Sequence, residues 1–148
     1  MLETDVAMKL KSTHGKIGQI MQQKINEYDL RVGLLHLAML VKRYPEKSQK
    51  ELAEEMRFTQ GAMSHSVKIL IGKEILEQVP LESDMRHNRL VVTERGNSLI
   101  NDYEKYITRV YKDIFTGFDE LELKNFDNYL MRINSNIDEI NDEYFNKL

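Results

Sequence analysis

The sequence predicts a mainly α-helical fold that carries one small β-hairpin. Three observations lead there. Apolar residues recur at helical spacing through most of the 148 residues, and two short β-type runs, Ile75 to Leu81 and Arg89 to Thr93, flank a polar stretch between helices. No internal repeat, low-complexity tract or Gly/Ser linker interrupts the series.

From Val6 to Tyr28 the residues Val6, Leu10, Ile17, Ile20, Met21, Ile25 and Tyr28 define one long amphipathic helix, weakened in its middle by Gly15 and Gly18. Asp29 is positioned to cap a second helix, Leu30 to about Lys42, that is apolar on most sides. Pro45 ends it, because a proline disfavours the helical region for the residue before it. Ser48-Gln-Lys-Glu51 is a capping box opening a short helix, 49 to about 56, that buries Leu52, Ala53 and Met56. Thr59 is the next cap. The helix behind it, Gln60 to about Lys73, turns Met63, Val67 and Leu70 inward. Ile75 to Leu81 then forms a strand in which Pro80 is tolerated only at an edge. Glu82 to Asn88 forms a polar tip, and Arg89 to Thr93 a return strand. A lone hairpin is marginal, so it must pack on its neighbouring helices. Thr93 caps a helix carrying Leu99, Tyr103, Tyr106, Ile107, Val110 and Ile114 that ends near Gly117. Asp119 and Glu122 form a second capping box, with Phe118 and Leu123 as its apolar staple. The last helix spaces Leu123, Phe126, Leu130, Ile133, Ile137 and Ile140 by alternating threes and fours, a heptad-like seam.

Composition narrows the function classes. The absence of cysteine excludes disulfides, thiolate metal sites, cysteine nucleophiles and thiol-based sensing, and fits a reducing, cytoplasmic location. The start, Met1-Leu-Glu-Thr-Asp5, shows no secretory signal, and no apolar run reaches the ~20 residues of a membrane span, so no membrane partner is expected. His14, His36, His65 and His87 have no ligand spacing, and no Gly-rich phosphate loop or Ser/His/Asp pattern is present. The reading is therefore a non-enzyme with no metal and no cofactor. The net charge of −3 gives no sign of a polyanion partner, but it is unevenly spread. Residues 1 to 41 and 42 to 95 each sum to +1 and residues 96 to 148 to −5, which places any polyanion-binding surface before residue 96.

Helix, turn, helix and hairpin in that order make a winged helix-turn-helix, whose second short helix can enter a major groove. With Met63, Val67 and Leu70 inward, that helix exposes Gln60, Gly61, Ala62, Ser64, His65 and Lys68. These side chains suit base edges: Gln for adenine, Ser for several bases, Ala for a thymine methyl, His or Lys for guanine or phosphate. Gly61 would let the backbone approach DNA closely. Arg89, Lys73 and Gln49 or Lys50 are candidates to hold phosphates. The same residues would also serve as the polar face of an ordinary surface helix. It is the adjoining hairpin, with Arg86, His87 and Arg89 around Asp84, that favours an interface.

The residues carry a resemblance as well. Leu52-Ala-Glu-Glu-Met-Arg-Phe-Thr-Gln-Gly-Ala-Met-Ser-His-Ser-Val-Lys-Ile-Leu70, then Asp84-Met-Arg86, then Leu90-Val-Val-Thr-Glu-Arg-Gly96, resembles the MarR family of bacterial transcriptional regulators. The shared features are an LA helix, a Ser/Thr-started recognition helix beginning here at Thr59, a D-x-R wing tip and a T-x-x-G helix start. The resemblance implies that Arg86 enters the minor groove, oriented by Asp84, a site where narrow A·T-rich grooves favour a guanidinium. It implies a homodimer on double-stranded DNA with a palindromic operator. Residues 30–96 would then form the DNA-binding domain, and residues 1–29 and 97–148 the helical dimerisation region. It also implies a ligand-responsive repressor whose small-molecule effector, of unidentified structure, sits in a crevice bordered by Tyr28, Arg31, His36 and Met39, residues that core packing would equally explain. The sequence departs from the family at Arg57 and Glu74, where glycine is usual, which leaves the pitch between the two short helices open. The competing reading is a winged-helix protein-interaction module that does not bind DNA.

Overall fold

The computed structural model describes the backbone of residues 1–81 and 84–145 and the side chains of residues 1–80 and 89–143. Its elements are α1 (Leu2–Asn26), α2 (Val32–Arg43), α3 (Gln49–Met56), α4 (Gln60–Gly72), β1 (Leu76–Leu81), β2 (Asp84–Val92), α5 (Glu94–Ile114) and α6 (Glu120–Phe145). They fall into two compact units, Met1–Thr108 and Arg109–Leu148. The mainly α fold with one antiparallel hairpin is therefore the observed one.

The core of the first unit takes most of the predicted inward faces, but Met56 is only half-buried, and on α5 Ile100, outside the predicted set, is fully buried while Leu99 and Tyr106 are half-buried. Leu35, Leu37, Ala38 and Val41 make α2 the central helix; Leu52 and Ala53 of α3, Met63, Val67 and Leu70 of α4, and Ile100, Tyr103 and Ile107 of α5 close around it. Three predicted caps are in place. The Glu51 amide donates to Ser48 Oγ at 3.2 Å while the Ser48 amide donates to the Glu51 carboxylate at 3.3 Å. The Ala62 amide donates to Thr59 Oγ1 at 3.1 Å. The Gly96 amide donates to Thr93 Oγ1 at 2.9 Å.

The turn between α1 and α2 differs from the expectation. Asp29 does not cap α2, which starts at Val32 behind Arg31 with no side-chain cap. Asp29 instead takes a left-handed backbone, φ 54°, which a short polar side chain tolerates better than most, and its carboxylate pairs with Lys73 at 3.1 Å. At the far end Tyr44 leaves the helical region at ψ 70°, as the following Pro45 requires.

Arg57 and Glu74 resolve the question raised by their usual glycines. Both adopt the left-handed conformation, φ 56° and 59°. Each closes a helix in Schellman fashion: the Phe58 amide reaches the Ala53 carbonyl and the Ile75 amide the Leu70 carbonyl, both at 2.9 Å. The geometry of the turn is thus kept without glycine, against a steric cost of about 1–2 kcal/mol per residue. Arg57→Gly and Glu74→Gly are each expected to stabilise the fold by about 0.5–1 kcal/mol once the extra chain entropy of glycine is subtracted. Urea titration checks this, and a lower midpoint for either variant would mean that the side chain makes contacts outweighing the strain.

In the hairpin, Leu76 pairs with Val92, Gln78 with Leu90 and Pro80 with Asn88, and the register becomes irregular between Pro80 and Leu81. Leu76 and Leu90 are buried against the helices. The return strand is longer than predicted, starting at Asp84 rather than Arg89. The added residues, Asp84 to Asn88, carry no apolar alternation in the sequence that would mark them as strand.

In the second unit the Asp119–Glu122 capping box is formed: the Glu122 amide donates to Asp119 Oδ1 at 2.8 Å and the Asp119 amide to Glu122 Oε1 at 3.3 Å. Phe118 packs edge-to-face on Phe115, with centroids 6.0 Å apart. α5 ends at Ile114, three residues short of Gly117, which supplies the positive φ of the connection. Along the α6 seam Leu123, Leu130 and Ile133 are half-buried, while Phe126, Ile137 and Ile140 are 42%, 45% and 51% exposed. On α1, Leu2, Val6, Met8 and Leu10 are likewise exposed, and Ile25 is fully buried.

Candidate nucleic-acid interface

α4 presents its predicted face. Thr59, Gln60, Gly61, Ala62, Ser64, His65 and Lys68 are all exposed, and the alternate positions Met63, Val67 and Leu70 fix the helix rotationally by burial. Thr59 serves as the cap, so its oxygen is partly committed to the Ala62 amide. A Cβ placed on Gly61 meets nothing within 4 Å, so packing inside the protein does not require glycine there. Gln49, on the first turn of α3, is half-buried and donates from Nε2 to Ser64 Oγ at 3.3 Å. The two residues border a notch of about 160 Å³ between α3 and α4.

Of the other expected phosphate contacts, Lys50 and Arg89 are exposed, and Lys73 is half-buried in its ion pair with Asp29. Asp84 and Arg86 lie on the backbone of β2, but their side chains, and the tip residues Glu82 and Ser83, are outside the described residues.

The four residues expected to border an effector crevice are not gathered in one place. Arg31 faces an open cleft of about 780 Å³ together with Leu34, Phe58, His65, Ile69 and Lys73. His36 and Met39 border a different cleft of about 460 Å³ with Lys42, Arg43 and Glu104. Tyr28 belongs to a polar cluster joining α1 to α5. Its hydroxyl donates to the Asp102 carboxylate, and Lys24 bridges Glu27 at 2.9 Å and Asp102 at 3.3 Å while lying over the rings of Tyr28 and Tyr106. The Lys24–Glu27 spacing was readable as a helix pair. The link to Asp102, 74 residues from Tyr28, had no local signal. The bond to Glu27 chiefly, with Asp102 adding to it, holds the Lys24 ammonium above the ordinary lysine value. Burial first, and then the Asp102 bond, pushes the Tyr28 phenol up to about 12.

A phenol whose folded-state pKa is raised contributes stability that is complete below its unfolded value of about 10 and is lost as pH climbs through about 12. The gap in urea midpoint between the wild type and Tyr28→Phe should therefore narrow over that alkaline window. A constant gap would show that the phenol bond is not the linked group.

Among the described residues no cluster of three or more His, Cys, Asp or Glu could hold a metal ion, and no helix is long and apolar enough to cross a membrane.

No protein-family model matches the sequence. Solved structures do match. The chain is similar to Streptococcus pneumoniae FabT in complex with DNA, with a TM-score of 0.80 at 18% identity over 93% of this chain and 99% of that one. It is similar to Staphylococcus aureus MarR in complex with salicylate and kanamycin, with a TM-score of 0.79 at 11% identity over 94% of both chains. A MarR transcriptional regulator from Methanosarcina mazei Go1 gives a TM-score of 0.69 at 23% identity over 92% of this chain and 99% of that one. The fold is that of the MarR-type regulators. In the MarR-type fold, α3 and α4 are the helix-turn-helix and β1–β2 the wing, as the motifs between Leu52 and Gly96 imply.

Proposed function

We propose that the protein is a MarR-family transcriptional regulator: a homodimer that binds a palindromic operator in double-stranded DNA, with α4 in the major groove and Arg86 of the wing in the neighbouring minor groove. The observation that carries this is the exposed, side-chain-capped face of α4 from Thr59 to Lys68, whose rotation is fixed by three buried residues. Phosphates would be held by Lys50 and Arg89, with Thr59 fixing the start of the reading helix. Gly61, which no contact among the described residues requires, is then explained by close approach of the backbone to DNA. FabT, of the same fold, is described in complex with DNA.

Residues 30–96 form the DNA-binding domain in this reading, and residues 1–29 and 97–148 join two copies. The exposed apolar residues Phe126, Ile137 and Ile140 of the α6 seam and Leu2, Val6 and Leu10 of α1 favour a second copy as the covering surface. A two-fold dimer sets its recognition helices about one DNA turn, or a multiple of it, apart. The protein acts in the cytoplasm as a repressor, released when a small molecule stabilises a different spacing of the two α4 helices. MarR of the same fold is described with salicylate and kanamycin, and the clefts at Arg31 and at His36 and Met39 are the places to look for such a ligand here.

Selection of bound fragments from a random duplex pool tests the proposal. A palindrome, together with affinity that falls steeply as salt rises, is the expected result, because each neutralised phosphate releases counterions. Enrichment of no sequence, or salt-independent binding, would favour a protein-interaction module instead. Against the selected site, Arg86→Ala should bind about 10- to 100-fold more weakly, the loss of one groove-inserted guanidinium, with an unchanged melting temperature. Equal affinity at matched salt would remove the wing from the interface.

A further inference from the structure

Gln49 opens α3 and Ser64 sits on the second turn of α4, and the amide of the first donates to the hydroxyl of the second. A serine hydroxyl has one hydrogen and two lone pairs. Inside a helix it commonly gives its hydrogen to the carbonyl four residues earlier, as Thr108 does to Glu104 in α5. Among the described residues Ser64 makes no such bond to Gln60, and its partner, the Gln49 amide, is a donor. One lone pair is thus occupied from the α3 side, and the hydrogen is left for a group outside the protein. Gln49 and Ser64 stand at the rim of the notch that Lys50 and Gln60 also border, on the side of α4 that would meet the groove.

We infer that Gln49 is a positioning residue for sequence readout: by donating to Ser64 Oγ it makes the Ser64 hydroxyl a hydrogen donor toward an acceptor on a base edge. This rests on the DNA-binding reading above and gives Gln49 a role other than the phosphate contact for which Gln49 or Lys50 is a candidate. In the major groove guanine and thymine offer acceptors, O6 and N7 or O4, while cytosine offers only the N4 donor. Ser64 therefore selects guanine or thymine over cytosine at the base it reaches. Removing the amide frees the hydroxyl to turn inward to the Gln60 carbonyl. A carboxylate at position 49 takes the Ser64 hydrogen and leaves lone pairs facing the DNA, which inverts the preference.

The test is selection from a random duplex pool at fixed salt with the wild type, Ser64→Ala, Gln49→Ala and Gln49→Glu, each confirmed folded by its melting curve. Ser64→Ala identifies the base pair in question. At that pair Gln49→Ala should weaken discrimination about fivefold, the scale of one neutral hydrogen bond, and leave the other positions unchanged. Gln49→Glu should shift the preference at the same pair toward cytosine, on top of a general loss of affinity from its charge. If Gln49→Ala weakens all sequences alike, or Ser64→Ala alters no position, the inference is overturned while DNA binding stands. If the wild type enriches nothing, the DNA-binding reading fails and this inference with it.

Discussion

Gly96→Ala is expected to destabilise the protein by about 3 kcal/mol or more and to lower its melting temperature by about 10 °C, a large part of the 5–15 kcal/mol that holds a domain of this kind together. A Cβ at this position would lie 2.4 Å from the Ile75 carbonyl oxygen, 2.8 Å from Val92 Cγ1 and 3.2 Å from the Ile75 carbonyl carbon. The valine methyl can rotate away, but the backbone carbonyl cannot. That carbonyl also accepts the Thr93 amide at 3.0 Å, and the Thr93 hydroxyl caps α5 through Gly96 itself. Relief therefore requires lifting the start of α5 off the α4–β1 junction, which breaks the cap and the strand-to-helix bond together. Gly61→Ala is the control: its Cβ meets nothing, and it should be neutral or slightly stabilising because alanine is the better helix former. A Gly96→Ala protein melting within a degree or two of the wild type would show that α5 does not seat so closely on Ile75.

Gly96 also illustrates what could be read from the sequence and what could not. The T-x-x-G spacing was legible as a motif, but its necessity lies in a carbonyl 21 residues upstream that no local pattern names. The same division runs through the molecule. Ser48 with Glu51, Thr59 with Ala62, and Asp119 with Glu122 are contacts three residues apart, so the side-chain types alone specify them. The exposed face of α4 was legible because burying Met63, Val67 and Leu70 at a period near 3.6 leaves the exposed set determined. Asp29 was misplaced because the same short carboxylate that suits a cap also suits a left-handed turn, and Lys73, 44 residues away, decides between them. The extent of β2 was underestimated because its outer stretch, Asp84 to Asn88, carries no apolar alternation. The Gln49–Ser64 bond had no local signal, since Ser64 lies across the turn on the next helix.

The double substitution Ile137→Glu with Ile140→Glu is expected to convert the protein to a monomer and to weaken operator binding on the order of a hundredfold or more. The two side chains are 45% and 51% exposed in the single chain, so placing carboxylates there removes little intrachain packing. In a dimer built on the α6 seam the same carboxylates would be buried against apolar side chains, which is strongly unfavourable for an unpaired charge. The consequence for DNA follows from linkage of two half-sites. When one subunit is bound, the second recognition helix is presented at an effective concentration near the millimolar range, and avidities of this kind exceed single-site affinity by about 10²–10⁴. A monomer keeps the α4 face and the wing but forfeits that factor, so it should still show salt-dependent binding, at a weaker level and with a half-site in place of a palindrome. Sedimentation at micromolar concentration and duplex titration at fixed salt give the two readouts independently. A variant that sediments as a dimer would move the interface away from the α6 seam. A monomeric variant with undiminished operator affinity would instead show that one copy of α4 and its wing suffices, and the two-fold geometry of the proposed complex would have to be abandoned.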